Sequence, residues 1–300
     1  MDQALSRILL QRFRVGAFDP KDRVSFRKIP IDVLDSGPHR ALALQAAREA
    51  ITLLGNVDHA LPLVKKPATK IGVVGPMADN TAVMAGGKSD YHPSFTVSVL
   101  DGIQSMVRAF GGAEVRYAQG SATSGNSSDP ELLQPALQVA GSVDVLIVCV
   151  GIDSKIEHEG TDRTFIGLPP TQLEMLQAVT AAARTNGAKV IAVLVNGGPL
   201  SIDWLKSALD ATPPTVHAAI EAYDLGQSAG QVVAEVLWGD TNPSCSLPFT
   251  LFPEDYVNQV SLTNMSMRPG GHNPVRAASV AFASQPCACS QPHLEVVLLP

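Results

Sequence analysis

The 300-residue chain is poor in aromatic rings, cysteine and charge. Phe, Trp and Tyr make up only 5% of it and charged residues 17%, which together with 45% hydrophobic residues excludes a disordered, collagen-like or coiled-coil chain. Its four cysteines, two of them crowded at Cys287 and Cys289, do not form a disulfide framework. There is no basic block: 22 Lys and Arg stand against 28 Asp and Glu, a net charge of −6. Nucleic acid and anionic membrane are therefore not expected as partners. No apolar run approaches the roughly 18 residues of a membrane span. The start, MDQALSRILLQRF, is acidic at once and carries no small-residue cleavage site, so no secretory signal is read there. Repeats at solenoid periods are also missing.

What is present is an alternation of two patterns. Short β-branched runs lie at Ile71–Val74, Val115–Tyr117, Val143–Val150, Val190–Val195 and Val216–Ala222. Helical patterns separate them at Val97–Phe110, Pro130–Ala140, Pro169–Thr185 and Gln231–Trp238. Continuous apolar strands between amphipathic helices predict a parallel sheet covered on both faces, one doubly wound α/β domain over roughly 60–253. Upstream, residues 1–19 read as an amphipathic helix on Leu5, Ile8, Leu9 and Phe13, closed by a Gly16–Pro20 breaker. A charged connector and a helix over His39–Leu54 follow, with Pro38 near its start and Gly55 just past its end. Downstream, Val275–Pro300 has no periodicity and reads as an irregular tail. The spacing of Cys287, Cys289 and His293 is not that of a structural zinc site, and neither metal nor cofactor is expected.

In open parallel sheets, ligands bind beyond the carboxyl ends of the strands. The most apolar strand, Val143–Val150, opens into such a place. Six of the thirteen residues 151–163 are charged (Asp153, Lys155, Glu157, Glu159, Asp162, Arg163), where the chain average would supply about two. The bland reading of this segment is a solvated loop. A competing motif is Gly226-Gln227-Ser228-Ala229-Gly230, a G-x-S-x-G match between strand and helix, with Asp240, Asp255 and His272 following in hydrolase order. Asp224 and Leu225 lengthen that turn, however, and no HGGG-type oxyanion segment lies upstream. Ala85-Gly86-Gly87-Lys88 lacks P-loop spacing, and Gly75-Pro76 is a turn without the remaining glycines of a dinucleotide fingerprint.

Glu159-Gly160-Thr161-Asp162-Arg163 resembles the E-G-x-D-R motif in the second domain of glycoside hydrolase family 3. Other segments match in order: Leu61-Pro62-Leu63 with Lys70–Asp79 (KIGVVGPMAD), Asn196-Gly197-Gly198-Pro199, and Gly226–Gly230 followed by Leu237-Trp238-Gly239-Asp240 and Asn242-Pro243. Phe13-Arg14 and Gly16–Pro20 look like the exit helix of that family's first domain. HRALALQAAREAITLLGN over 39–56 and the Met265–Pro269 segment lean toward the β-xylosidase branch.

The resemblance implies a (β/α)₈ barrel followed by a six-stranded, mostly parallel α/β sandwich in which helices cover both faces of the sheet. The boundaries expected are a barrel-exit remnant at 1–24, linker and helix at 25–60, the sandwich at 61–253 and the tail at 254–300. It also implies retaining exo-hydrolysis of β-xylosides, with a nucleophile in the barrel and the general acid/base in the sandwich. By position Glu159 is that acid/base, with its proton affinity expected to rise on burial against the barrel. Glu157 is the second candidate, Asp162 and Arg163 are expected to pair and shape the loop, and Tyr91 borders the leaving-group subsite. A barrel needs about 250 residues, and only the first twenty or so here could belong to one. No nucleophile is expected in the chain, and Ile202-Asp203-Trp204 lies in the wrong domain to supply it. The expected partner is a β-linked oligosaccharide or glycoside. Family members of this branch are mostly secreted, and Asn126-Ser127-Ser128 and Asn264-Met265-Ser266 are sequons, against the absence of a leader. Two alternatives stand: a non-catalytic binding domain that self-associates through its exposed barrel-facing surface, and a serine hydrolase at Ser228.

Overall fold

The computed structural model describes residues 1–86, 93–259 and 263. Tyr91, Gly87-Lys88, His272, Cys287, Cys289, His293, the sequon at Asn264 and the Met265–Pro269 segment lie outside them. The chain forms two compact units, Met1–Leu42 and the remainder from Ala43.

In the first unit, α1 (Asp2–Arg14) buries none of its residues, and Leu5, Ile8 and Phe13 are exposed. Gly16, at φ +70°, turns the chain back beneath Val24, and the Phe13 and Phe18 rings meet at 4.7 Å. Three single 3₁₀ turns between Lys21 and Val33 occupy what the sequence marks as a connector.

The second unit is the α/β sandwich. Its strands are β1 (Thr52–Asn56), β2 (Lys70–Val74), β3 (Glu114–Ala118), β4 (Val145–Gly151), β5 (Lys189–Val195) and β6 (Ala218–Glu221), in the order β1-β6-β5-β4-β2-β3. Five strands are parallel and β1 is antiparallel to β6. Sequence and structure differ here. The helix expected through Leu54, α2 (Gly37–Ala50), stops at Ala50, and Leu53 and Leu54 belong to β1. Pairing with β6 provides hydrogen-bond partners for a segment that local periodicity alone reads as more helix. The compact unit accordingly starts well before residue 61.

Alternation along β4 builds both layers at once. Val145, Ile147 and Cys149 face a cluster formed with α3 (Val99–Phe110) and α7 (Ala229–Leu237). Leu146, Val148 and Val150 face the other cluster, formed with α4 (Pro130–Ala140), α5 (Pro170–Thr185) and α6 (Asp203–Asp210). All seven β4 residues are buried, and each large side chain contributes roughly 1.5–3 kcal/mol. A four-residue helix, α8 (Tyr256–Gln259), follows at the end.

The false serine-hydrolase motif has a packing explanation. Gly230 lies so close to α3 that a Cβ would collide with the Ser98 carbonyl, and Gly102 meets the Gly230 carbonyl in the same way. The final glycine of G-Q-S-A-G therefore serves the α3–α7 contact. Ser228 is buried at the start of α7, and Asp240 is held by Lys65 at 2.6 Å. Gly230→Ala is expected to force α3 and α7 apart, at a cost of about 2–4 kcal/mol by the size of overpacking and backbone effects. Chemical denaturation should show a lower midpoint with an unchanged slope.

Candidate functional site

The parallel strands β4, β5 and β6 all end on one side, and a cleft of about 310 Å³ opens there. Its lining comes from the β4 loop (Ile152, Asp153, Ser154, Glu157), the β5 turn (Gly197, Gly198), Asp224 after β6, and Val83 and Gly86 beyond β2. This is where a doubly wound sheet places ligands.

The β4 loop is built in stages. Gly151 sits at φ +155°, so close to β5 that a Cβ would collide with the Val195 carbonyl. Buried Gln172 accepts from the Gly151 amide at 2.9 Å and donates to its carbonyl at 2.8 Å, clamping the strand end. Asp153, 8% exposed, then starts a helical turn. One carboxylate oxygen accepts from the Lys155 amide at 3.0 Å and the other from Asn80 Nδ2 at 3.2 Å, tying the loop to the segment after β2. The turn delivers Glu157 to the cleft, where its Oε2 accepts from Arg163 Nε at 2.7 Å. Arg163 Nη2 also donates to the Pro199 carbonyl at 2.8 Å. The arginine side chain is only 6% exposed, so this fork fastens the loop to the β5 turn.

Beyond the fork, His158 and Thr161 exchange backbone hydrogen bonds at 3.1 and 2.9 Å, leaving Glu159 and Gly160 as the tip of a tight turn. Gly160 has φ +85°, the left-handed conformation that glycine supplies at the third turn position. Glu159 is exposed and sits past the residues that line the cleft. Asp162 is also exposed, and the pairing expected between Asp162 and Arg163 is replaced by the Arg163–Glu157 pair. The reason is geometric: the hairpin folds Arg163 back alongside Glu157, whereas the adjacent residue cannot face it. Asp203 of the Ile202-Asp203-Trp204 tripeptide accepts from Ser201 Oγ at 3.0 Å and the Glu254 amide at 3.1 Å, a structural duty at the start of α6.

Two acidic residues that sequence reasoning did not single out for the site follow one another here, Glu221 behind the cleft and Asp224 in its lining. Glu221, at the end of β6, is 2% exposed, and burial pushes its carboxyl up to about 8 despite hydrogen bonds with the Tyr223 amide and the Asn196 side chain. Asp224 is pushed up to about 6 by burial. A lone glutamate in the apolar run Val216–Ala222 was the visible signal. Among the described residues, no group of three His, Cys, Asp or Glu could hold a metal ion, and no helix is long and apolar enough to cross a membrane.

With this geometry in place, the comparisons with known proteins are decisive. The family model described as glycosyl hydrolase family 3 C-terminal domain matches residues 51–281. The chain belongs to glycosyl hydrolase family 3. "Probable exo-1,4-beta-xylosidase bxlB" of Aspergillus fumigatus is 34% identical over 276 residues, covering 92% of this chain and 33% of the relative. Beta-D-xylosidase 1 of Arabidopsis thaliana is 34% identical over 273 residues, 91% of this chain and 33% of the relative. Among solved structures, a GH3 exo-beta-xylosidase (XlnD) in complex with a xylobiose aziridine activity-based probe superimposes with a TM-score of 0.74 at 29% identity, over 88% of this chain and 32% of the other. A GH3 beta-glucosidase from Bifidobacterium adolescentis gives 0.63 at 27% identity, over 84% of this chain and 33% of that one. The chain thus spans about a third of the length of these relatives. The family 3 sandwich expected from the motifs is the fold observed.

The buried carboxyls fix the sign of a pH effect. Unfolded, Glu221 titrates near 4.5, and folded, near 8. Between those values the unfolded state has lost a proton that the folded state keeps, so stability falls as pH rises, by up to about 1.4 kcal/mol per pH unit for one group. Asp224 adds the same sign between its ordinary value of 3.8 and about 6. Melting temperature should therefore decline from pH 5 to pH 8, and Glu221→Gln should flatten that decline.

Proposed function

We propose that the chain is the C-terminal sandwich of a retaining exo-β-glycosidase acting on β-xylosides, and that Glu159 is its general acid/base. The observation that carries the reading is the exposed position of Glu159 at the tip of its hairpin. Glu157 is occupied by Arg163 at 2.7 Å inside the cleft. Glu159 is carried outward on the tip of the hairpin, where a carboxyl can reach a substrate held by a second domain. The relatives' names supply the xyloside direction, and their other two thirds leave room for that domain.

Retaining hydrolysis needs two carboxyl groups about 5–5.5 Å apart: one attacks the anomeric carbon while the other protonates the leaving oxygen, then takes a proton from water. In this reading Glu159 does the proton transfers, the nucleophile belongs to the barrel, and a rigid loop fixes the approach of the two. The Arg163 fork and the Gln172 clamp supply that rigidity. Alone, with one of the two carboxylates, the 300-residue chain is expected to turn over no xyloside. The alternative of a non-catalytic, self-associating domain draws on the exposed apolar residues of the first unit, including Phe13, Phe26 and Ile31.

The test joins this chain to the N-terminal two thirds of Arabidopsis Beta-D-xylosidase 1 and follows hydrolysis of xylobiose and of 2,4-dinitrophenyl β-xyloside. Glu159→Gln should slow xylobiose cleavage by about 10²–10⁴-fold, while formation of the glycosyl-enzyme from the activated aryl xyloside, which needs no acid, falls far less. Xylosidase activity in the unfused chain that survives Glu159→Gln sinks the assignment.

A further inference from the structure

Asp224 stands apart from the other carboxylates of the cleft. Asp153 is hydrogen-bonded by Asn80 and the Lys155 amide, and Glu157 by Arg163. Asp224 Oδ1 is buried with no hydrogen-bond partner among the described residues. Its Oδ2 faces two glycines: a Cβ built on Gly197 would lie 2.5 Å from it, and one on Gly86 3.5 Å. On the far side of the same turn, a Cβ on Gly198 would lie 2.6 Å from Glu157 Oε2. The adjacent glycines of the β5 turn thus make room for one carboxylate each, and of the three cleft carboxylates Asp224 is the one without a protein donor among the described residues.

Its placement is imposed by the backbone. Tyr223 adopts φ +49°, a left-handed conformation that a bulky side chain reaches only under constraint. Glu221 Oε1 accepts from the Tyr223 amide at 3.3 Å and helps to hold that turn. A carboxylate with one oxygen buried and unpartnered costs stability, and strained backbone beside it costs more. Both are expected where the missing donor arrives with a ligand.

We propose that Asp224 is a sugar-contacting residue, receiving hydrogen bonds from hydroxyl groups of a neutral glycoside bound in the cleft between Gly86 and the Gly197–Gly198 turn. The assignment rests on the glycosidase reading and adds a specificity residue to it. Sugar hydroxyls are the donors that fit. The lining carboxylates are too dispersed to gather a metal ion among the described residues. Arg163, the cation beside Gly198, has its charge balanced by Glu157 at 2.7 Å and gives Nη2 to the Pro199 carbonyl, while its Nη1 is buried without a partner among the described residues. A ligand bearing its own carboxylate would face Asp153, Glu157 and Asp224 together.

The experiment titrates the ¹⁵N-labelled 300-residue chain with xylobiose at pH 7 and reads the backbone amides by NMR. Xylobiose should move the amides of Gly197, Gly198 and Asp224. Asp224→Ala should weaken the apparent Kd at least fivefold, and Asp224→Asn, which keeps one carbonyl acceptor, by less. Because Asp224 Oδ1 has no partner to lose, both variants should melt no lower than the parent, which separates lost contact from lost fold. Glucuronic acid should produce no shift at these amides. An unchanged Kd in Asp224→Ala, shifts confined to other surfaces, no shift up to 50 mM of either xylobiose or cellobiose (on the order of the weakest contacts measurable), or equal binding of glucuronic acid overturns the assignment. Cellobiose moving the same amides with the same dependence on Asp224, where xylobiose does not, supports the contact and overturns only the xyloside preference.

Discussion

The Arg163 guanidinium joins two loops that would otherwise be independent. It binds Glu157, at the end of the helical turn after β4, and the Pro199 carbonyl in the turn after β5, at 2.7 and 2.8 Å. With the side chain almost wholly removed from water, the pair gains strength from its surroundings. Loss of Glu157 would leave the buried Arg163 charge uncompensated. Everything proposed about the site depends on this fork. It fixes the base of the His158–Thr161 hairpin that carries Glu159, and closes one wall of the cleft beside Gly198.

The sheet beneath makes such a fork useful. Five parallel strands bring several carboxyl ends to one side, and their buried runs leave the loops as the places where polar groups gather. Gly151 and Gln172 show how the transition is made: the strand ends against its neighbour's backbone, and a buried amide takes up the hydrogen bonds that the ladder can no longer supply. The same economy of space recurs at Gly102 and Gly230, where two helices touch through bare backbone.

Much of this was legible in the amino-acid sequence, because strand runs and helical periods are local signals. The five parallel strands fall where β-branched runs place them, and the dense charge of residues 151–163 marks the site's loop. What local patterns could not show is partnership across the chain. β1 reads as helix because its pairing with β6 lies about 165 residues away. Arg163 reads as a partner for its neighbour Asp162, since sequence distance does not reveal that the hairpin returns it to Glu157. Glu221 and Asp224 precede a segment whose spacing suggested a nucleophile elbow, and the packing of Gly230 on Ser98 shows why its last glycine is there.

The most direct measurement is the product formed by a Glu159→Ala variant, fused to a relative's N-terminal two thirds, from 2,4-dinitrophenyl β-xyloside in sodium azide. A carboxyl that serves as acid/base is not needed to expel this leaving group, and azide needs no base to attack the glycosyl-enzyme. The account predicts faster turnover with azide and accumulation of β-xylosyl azide, with no such product from the unsubstituted fusion. Failure of azide to accelerate Glu159→Ala, or the same rescue in Glu157→Ala alone, would contradict it.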